Sequence, residues 1–336
     1  MVTVRSASHG RLELHPADRV EVLVLVDNAT DLLSTNPENV QSELRGLLRA
    51  GMRELAGEAV CCAHHGLSLI VSAYHNGARR TMLFDAGPEG FAIERNGGRL
   101  AVDFGSIEAV VLSHGHYDHC GGALKALDLI TAGQNRNAPV YVHPDMFRVR
   151  ALRLTNGDVL PLKNIPTVEE LTTNGASIVN SSEAQSLLDG LFYVSGEIPR
   201  LAPYERGLPN HLCRMKANAD WEPDPWIMDE RWLAVQVKRK GLVVFTACSH
   251  AGVVNVLTHA RDRFPDIPLY AVVGGFHLSG AGPEDIIPDT ITDLAQFGLR
   301  MIVPGHCTGW RAVTALVARF GEKVVVPSAV GKLLSF

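Results

Sequence analysis

The sequence predicts an α/β (α+β) protein of four layers, in which two mixed β-sheets pack face to face and helices cover their outer sides. Apolar segments of strand length come first as a meander and then alternate with helical segments, a pattern typical of mixed sheets covered by helices. The 336 residues are 46% hydrophobic and 20% charged, which is enough apolar material for a large buried core. No short-period repeat or low-complexity linker divides the chain, so we predict one domain over residues 1–336.

The elements of the first half are predicted from hydrophobic periodicity and turn residues. Runs of β-branched residues indicate strands, whereas apolar residues at helical spacing indicate helices. The dipeptide Asn76-Gly77 lies between two apolar runs and favours a hairpin turn. In chain order, the predicted elements are a strand at 20–26, a helix-like stretch at 37–55, hairpin strands at 67–73 and 81–84, a buried strand at 107–112 and a helix at 123–131.

The middle of the chain has a weaker pattern than either end. Pro, Asn and Gly are frequent at about 133–231, and we predict a long insertion or connection there that shapes a substrate pocket. Regular elements return at residue 232. They are strands at 232–237 and 242–246, a helix at 253–263, a strand at 269–273, a helix at 284–297, a strand at 301–303 and a last strand near 323–326.

Charge and composition narrow the classes of partner. The net charge is -5, from 31 Lys+Arg and 36 Asp+Glu, so the chain offers no basic surface for nucleic acid or an anionic membrane. No apolar run reaches the roughly 18 residues of a membrane span. The six cysteines are few for this length, and charged residues interrupt the first 14 residues, where a secretory signal needs an apolar core. We expect a cytoplasmic protein with free thiols and a small-molecule substrate, and the oligomeric state stays open.

The most informative segment follows the predicted strand at 107–112. It reads Ser-His-Gly-His-Tyr-Asp-His-Cys-Gly-Gly and places four candidate metal ligands within six residues. His114 and His116 lie two residues apart in an extended loop and can point toward one ion, while Asp118 and His119 can reach a second. Imidazole and carboxylate donors suit Zn, Fe(II) or Mn. The segment therefore predicts a site for divalent metal ions.

Two further features are compatible with an anionic substrate. Gly121 and Gly122 end the histidine segment, and we expect them to let the chain turn sharply into a helix whose N-terminal amides can face an anion. Arg200, inside the less regular middle segment, is a candidate for binding a substrate carboxylate or phosphate, and a solvated loop arginine is the equal alternative.

The His-x-His-x-Asp-His loop after a strand resembles the metallo-β-lactamase superfamily. This resemblance implies an αβ/βα sandwich with a metal site at one edge of its two sheets. Further segments are similar to the branch named for dihydropterin-methyl-aminobenzene-phosphate synthase. These segments lie at residues 25–28, 66–69, 83–87, 196–200, 248–252, 274–278 and 304–309.

Three histidines follow apolar strands in the second half of the chain. His250, His277 and His306 each come shortly after one of these strands, where such folds gather their site residues. The resemblance implies one further histidine for the first metal and one near the end of the chain for the second. We assign His250 to the first metal and His306 to the second. His277 is then a catalytic pocket residue or, with equal weight, a metal ligand.

Two more residues are interpreted as supports of the site. In the superfamily pattern an aspartate at the end of a strand bridges the two metals, whereas here Cys248 stands near that place. We favour a small buried thiol for Cys248 and keep a thiolate ligand as the alternative. Asp85 matches the aspartate that in this superfamily accepts a hydrogen bond from a metal-bound histidine.

Together these residues predict a metal-dependent hydrolase of the superfamily that acts on a small, anionic substrate. We expect two divalent metal ions, with Zn ahead of Fe or Mn, and a metal-bound hydroxide that Asp118 orients, with Asp118 able to accept the proton that the bound water loses. The resemblance also implies an alternative, the pterin-linked synthase activity of the named branch. A metal-containing binding or sensor protein is a third reading. A redox di-iron enzyme is disfavoured because His116 stands where that branch has a carboxylate.

Overall fold

A computed structural model describes residues 12–134, 136–216 and 218–336 of the chain. Residues 1–11, on which most of the expectation about a secretory signal rests, lie outside this described part. The strands are β1 (Arg19–Val26), β2 (Val40–Gln41), β3 (Ser68–His75), β4 (Ala78–Phe84), β5 (Ala109–Val111), β6 (Ala138–Val142), β7 (Val149–Arg153), β8 (Val159–Pro161), β9 (Ala176–Asn180), β10 (Gln185–Leu187), β11 (Phe192–Val194), β12 (His211–Arg214), β13 (Glu222–Pro223), β14 (Leu233–Val237), β15 (Gly241–Thr246), β16 (Leu269–Gly275), β17 (Met301–Gly305) and β18 (Leu333–Ser335). The α-helices are α1 (Glu43–Arg49), α2 (Gly90–Arg99), α3 (Tyr117–Cys120), α4 (Ala123–Thr131), α5 (Val168–Thr173), α6 (Val253–Arg263), α7 (Ile287–Leu294) and α8 (Trp310–Phe320).

Two large mixed sheets form the centre of the fold. The first has eight strands in the order β2-β18-β1-β3-β4-β5-β6-β9, and the second has six in the order β10-β11-β14-β15-β16-β17. Alternate residues of β1, including Val20 and Val22, belong to the same buried cluster as Val243 and Phe245 of β15. Because side chains alternate between the faces of a strand, this pattern places the main core between the two sheets.

Helices cover the outer face of each sheet. On the first sheet, Leu83 of β4 shares a buried cluster with Ile93 of α2 and Leu127 of α4. On the second sheet, Val244 of β15 shares a cluster with Leu257 of α6. The resulting order of layers is helix, sheet, sheet, helix, so the predicted fold class is confirmed.

The predicted hairpin around Asn76-Gly77 is also confirmed. β3 and β4 pair antiparallel from Leu69 opposite Phe84 to His75 opposite Ala78. Asn76 and Gly77 both have positive φ values, of 50° and 82°, as a two-residue turn of this hairpin type requires.

Two elements of the first half are shorter than predicted. The helix-like stretch at 37–55 contains the short strand β2 and then α1, which begins after the N-cap residue Ser42 and ends before Gly51 (φ 99°). Pairing of β2 with β18 withdraws the first residues of the stretch from the helix. The strand predicted at 107–112 is reduced to β5, because a 3₁₀ turn at Phe104–Ser106 precedes it.

The C-terminal end also differs from the prediction. The helix at 284–297 is reduced to α7 between two 3₁₀ turns. The segment near 323–326 forms one bridge, from Val325 to Ile302, instead of a strand. The last strand is β18, and α2, α5 and α8 are helices that the sequence analysis did not predict. α5 has six residues, too few for helical periodicity to show, whereas α2 and α8 have ten and eleven and were missed.

The segment at 133–231 contains more regular structure than its composition indicates. β6 and β9 extend the first sheet, and β10 and β11 extend the second. The strands β13-β12-β7-β8 form a separate four-stranded sheet. Within the described residues, no helix is long and apolar enough to span a membrane.

Candidate metal centre

The centre lies where strand ends of the two large sheets meet. In the first sheet β4 and β5 run parallel, and in the second β15, β16 and β17 run parallel, so the carboxyl ends within each set point the same way. Polar residues follow these ends at Asp85 after β4, His114 after β5, Cys248 and His250 after β15, His277 after β16 and His306 after β17.

Four residues at these strand ends have a left-handed backbone. The φ values are 59° at Asp85, 57° at Ser249, 46° at His277 and 48° at His306. This conformation costs a residue with a side chain on the order of 1–3 kcal/mol and persists where the surroundings impose it. The backbone N–H of His306 donates to Asp27 Oδ1 at 2.7 Å, which is one of these constraints. Such concentration of strain is typical of functional sites.

The first group of donors consists of three buried histidines. His114 Nε2 lies 3.1 Å from His116 Nδ1 and 3.1 Å from His250 Nε2. Burial, and then the neighbouring histidines, hold the pKa of His114 and His250 well below the usual range. Burial, followed by His250, does the same to the pKa of His116. The three rings are therefore neutral, which is the form that binds metal.

The second group contains His119, His306 and the Asp118 carboxylate. His119 Nδ1 donates to Asp85 Oδ2 at 2.7 Å, and this leaves Nε2 with the lone pair. His306 Nδ1 lies 3.1 Å from Asn28 Oδ1, and its Nε2 lies 3.5 Å from Asp118 Oδ2. Burial opposes ionisation of Asp118, but the adjacent His119 and His306 hold its pKa below the usual range. Asp118 is therefore a carboxylate.

The donors of both groups fit divalent cations. His119 Nε2 and His306 Nε2 are buried and have no hydrogen-bond partner in the described part of the chain. A buried polar atom without a partner costs about 1–3 kcal/mol, and native structures rarely keep one without a reason. Burial lowers the pKa of His306, but Cys307 and Asp118 raise it overall to about 9, so a metal ion at its Nε2 would replace a proton. Both nitrogens face other donor atoms, which is the arrangement that a metal ion satisfies. The residues present therefore fit a metal centre.

Cys248 lies between the two groups. Its Sγ is within 4.8 Å of donor atoms of His114 and His250, and also of donor atoms of His119 and His306. The residue is buried, as the favoured sequence interpretation expects, yet its sulfur faces ligand atoms instead of apolar side chains. Burial raises the pKa of this thiol well above the ordinary value. This position is compatible with the alternative interpretation, in which Cys248 is a thiolate ligand.

His277 lies on the far side of Cys248. Its Nδ1 is 3.3 Å from Cys248 Sγ, and its ring centroid is 4.6 Å from that of His250. Cys248 Sγ is in turn 3.0 Å from Cys307 Sγ. This position is compatible with both sequence interpretations, a catalytic pocket residue and a metal ligand.

The structure does not bring Arg200 to the donors. Its Nη1 donates to the carbonyl of Ile198 at 2.7 Å and its Nη2 donates to the carbonyl of Trp226. The guanidinium stands near Glu230, whose carboxylate accepts the backbone N–H of His250 at 2.8 Å. Arg200 therefore has its terminal nitrogens engaged, and its position supports the loop behind the site.

Other carboxylates hold the backbone of the histidine segment. Asp85 accepts hydrogen bonds from the backbone N–H and the hydroxyl of Ser113, both at 2.7 Å. Asp229 accepts the backbone N–H of Gly115 at 2.8 Å and pairs with the buried Arg150 of β7. The loop is therefore tied to β4 on one side and to the small sheet on the other.

The role expected for Gly121 and Gly122 needs correction. Their φ values are -62° and -88°, which any residue adopts, so conformational freedom is not what these positions need. A Cβ at Gly121 would lie 1.9 Å from the Pro88 carbonyl oxygen, and one at Gly122 would lie 2.2 Å from that of Ala86. The two glycines are required for close contact between backbones.

Two histidines at the site carried no signal in the sequence. His65 Nε2 lies 3.5 Å from Asp118 Oδ2, with 59% of the side chain exposed, so it stands at the open side of the centre. His211 begins β12, is buried, and has its ring 5.1 Å from that of His116. Neither belongs to a recognisable spacing, although His65 directly precedes one of the segments on which the resemblance rests.

Comparison with known sequences identifies the β-lactamase superfamily. The family model described as Beta-lactamase superfamily domain matches residues 80–179. The 7,8-dihydropterin-6-methyl-4-(β-D-ribofuranosyl)-aminobenzene-5'-phosphate synthase of Methanocaldococcus jannaschii is 31% identical over 276 residues, covering 82% of this chain and 90% of that protein. An uncharacterized protein of the same organism is 29% identical over 256 residues, covering 76% of this chain and 88% of that protein.

Solved structures show the same fold. The crystal structure of a metal-dependent hydrolase of the β-lactamase superfamily has 22% identity and a TM-score of 0.66, covering 94% of this chain and 98% of that chain. The metallo-β-lactamase fold protein YhfI from Bacillus subtilis has 12% identity and a TM-score of 0.52, with the same coverage. At these identities the likeness establishes the fold alone.

Proposed function

Because the chain belongs to the metallo-β-lactamase superfamily, in the branch of the dihydropterin-linked synthase, we propose that it is a metal-dependent hydrolase with two divalent metal ions. The observation that carries this proposal is the convergence of imidazole nitrogens in two adjoining buried groups. In the first group, His116 Nδ1 and His250 Nε2 each lie 3.1 Å from His114 Nε2. In the second group, the Nε2 atoms of His119 and His306 have no hydrogen-bond partner in the described part of the chain. His65, with 59% of its side chain exposed, marks an open side next to these donors through which a substrate could reach them.

The ligand sets follow from the two groups. His114, His116 and His250 would hold the first ion, and Asp118, His119 and His306 would hold the second. Zn²⁺ accepts these nitrogen and oxygen donors in tetrahedral sites, and Fe(II) and Mn accept them as well. When bound, such ions act as Lewis acids toward carbonyl or phosphoryl oxygens and make water more acidic.

Asp118 is the residue that orients the attacking water. Its lowered pKa keeps it an acceptor, so it can take a hydrogen bond from water on the open side of the centre. His65 lies within 3.5 Å of the same carboxylate oxygen and is placed to pass a proton between that oxygen and solvent. Asp85 keeps the His119 ring oriented by accepting its Nδ1–H.

The charge of the donors favours an anionic substrate. Apart from Asp118, the residues assigned to the two ions are histidines, which bind metal as neutral imidazoles. Two divalent ions bound by five neutral donors and one carboxylate keep most of their positive charge, which attracts a carboxylate or a phosphate. Substrate binding does not then require Arg200.

The second candidate is the synthase reaction. The specific observation in its favour is the 31% identity with the dihydropterin-linked synthase of Methanocaldococcus jannaschii over 82% of this chain. The same centre would act on a phosphate-bearing aminobenzene compound and a pterin. Nothing in the donor set demands that condensation instead of attack by water.

The test combines metal content with turnover. We expect about two equivalents of metal in the purified protein, and hydrolysis of at least one member of an ester, lactone and phosphodiester panel. His116→Ala should lose at least one equivalent together with that activity. His75→Ala is the matched control, because His75 ends β3 beside the hairpin turn and its Nδ1 contacts the Pro16 carbonyl.

Two results would contradict the hydrolase. Metal-loaded protein that is inert on the panel but joins a dihydropterin to the aminobenzene phosphate would establish the synthase. Metal-loaded protein that is inert in both assays would support a binding protein. Equal metal content in His116→Ala and in the native protein would refute the proposed ligand set.

A further inference from the structure

A cluster of two sulfurs and one imidazole adjoins the two histidine groups. Cys248 Sγ lies 3.0 Å from Cys307 Sγ and 3.3 Å from His277 Nδ1. One donor atom from each of the three residues lies within 4.8 Å of the other two. The proposed hydrolysis does not use Cys307 or His277, so the cluster calls for a separate explanation.

The backbone around the cluster is shaped to hold these donors together. His277 has a left-handed backbone (φ 46°), which is uncommon for a residue with a side chain. A Cβ at Gly275 would lie 2.7 Å from Cys307 Sγ and 3.2 Å from His306 Cδ2. The absence of a side chain at Gly275 therefore makes the space that Cys307 occupies. A pair of thiols that only filled the core would require neither feature.

We propose that Cys248, Cys307 and His277 form a third ligand set, with two sulfur donors and one nitrogen donor, that takes a thiophilic divalent cation such as Zn²⁺ or Cd²⁺. Thiolates and imidazole are the donors that such ions prefer. Three protein donors leave a fourth position for water or another ligand. None of its three residues is assigned to the two ions of the proposed hydrolytic centre, although Cys248 lies next to both histidine groups.

The observed distances require a small adjustment on binding. Zinc–sulfur bonds are about 2.3 Å long, so two sulfurs on one tetrahedral zinc ion lie about 3.8 Å apart. The two sulfurs are 3.0 Å apart, which is the contact of a shared proton. Both sulfurs bind as thiolates, so the thiol protons are released to solvent, and for zinc the sulfurs separate by less than 1 Å, a movement within the reach of χ1 rotation.

Cadmium titration of the full-length protein tests the proposal. The protein is first reduced and desalted, and thiol titration verifies that no disulfide is present. Cd²⁺ alone is then added while the ultraviolet sulfur-to-cadmium charge-transfer absorption is recorded. We expect a charge-transfer absorption of the size that two cadmium–sulfur bonds per ion produce. X-ray absorption at the cadmium edge of the native protein counts the sulfur neighbours independently of any variant.

Variants separate this set from the proposed hydrolytic centre. Cys307→Ser should halve the charge-transfer absorption, and Cys248→Ser should do the same. Cys61→Ser is the control, because Cys61 is buried in a separate cluster with Leu47 and Val330. His116→Ala, which weakens the hydrolytic centre, should leave the absorption unchanged. Absence of hydrolysis in the native protein, with its two-sulfur signal present, would thus refute the proposed function and leave this proposal standing.

Three outcomes would overturn the inference. One is a one-sulfur signal that Cys307→Ser does not alter, which would make Cys248 a ligand of the histidine groups alone. Another is the absence of sulfur neighbours at the cadmium edge in the native protein. The third is equal loss of signal in Cys61→Ser and Cys307→Ser, which would show that the effect is not local.

Discussion

Burial controls the protonation of the three histidines in the first group. Removing an imidazole from water disfavours its charged form, which is why the pKa values of His114, His116 and His250 lie far below the ordinary value. A metal ion therefore does not have to displace a proton from these rings. The orientation of each ring is set separately, by the acceptor of its other nitrogen, as Asp85 does for His119.

Asp85→Asn tests this orienting role. The asparagine keeps the size of the side chain and tolerates the left-handed backbone (φ 59°), but one of its two carbonyl-type acceptors becomes an NH₂ group. We expect metal affinity to fall about 10–100-fold, measured by competition with a chelator, while the fold is retained. Asp103→Asn, at an exposed position, is the control. If the same chelator concentration removes the metal from both variants, Asp85 does not orient His119 for metal binding.

Close backbone contacts fix the path of the histidine segment. Gly115 lies against the Met146 carbonyl, Gly121 against that of Pro88 and Gly122 against that of Ala86. The first contact joins the segment to the 3₁₀ turn before β7, and the other two join it to the loop after β4. The path of the histidine segment is therefore fixed by the elements on which it packs, more than by its own turn preference.

Gly121→Ala tests this close packing. The added Cβ would meet the Pro88 carbonyl at 1.9 Å and the Tyr117 carbonyl at 2.7 Å, and backbone cannot move aside as a side chain can. We expect a loss of about 1–3 kcal/mol in unfolding free energy, seen as a lower midpoint of thermal unfolding. Gly98→Ala, in α2 with open space around it, should be neutral or stabilising by up to about 1 kcal/mol. Equal midpoints for the two variants would count against the packing argument.

At the scale of the whole molecule, three sheets meet at one site. The two large sheets contribute the donors at their strand ends, and the small sheet contributes His211 and Arg150. Arg150 Nε lies 3.3 Å from Asp224 Oδ2, and its Nη2 pairs with Asp229, whose other oxygen accepts the N–H of Gly115. The buried Arg150–Asp229 ion pair thereby couples the small sheet to the histidine segment.

Arg150→Met tests that coupling. Methionine fills a similar volume but leaves the Asp229 carboxylate buried without its cation, so we expect a loss of about 3–5 kcal/mol in urea unfolding. Arg148→Met is the control, because Arg148 pairs with Asp145 at 2.8 Å near the surface, where such pairs contribute about 0–1 kcal/mol. A similar, small effect of both substitutions would show that the buried pair does not hold the loop.

Sequence reasoning worked where a residue acts through its immediate neighbours. The hairpin at Asn76-Gly77, the helix α4 and the helix α6 depend on local turn geometry and periodicity, and the structure has them at the predicted places. It failed for the stretch at 37–55 and for the segment near 323–326. In both, pairing with a distant strand or packing on a sheet decides the conformation.

The sequence by itself determined the layered fold and the ligand types of the histidine segment, because alternation along strands and donor spacing within a loop are local properties. Only the tertiary structure decided that Cys248 lies between both histidine groups, that Cys307 and His277 stand beside it, and that His211 and His65 reach the site. These residues are separated by long stretches of chain. Their proximity depends on which strand ends meet across the two sheets, and this cannot be predicted from the spacing of residues along the sequence.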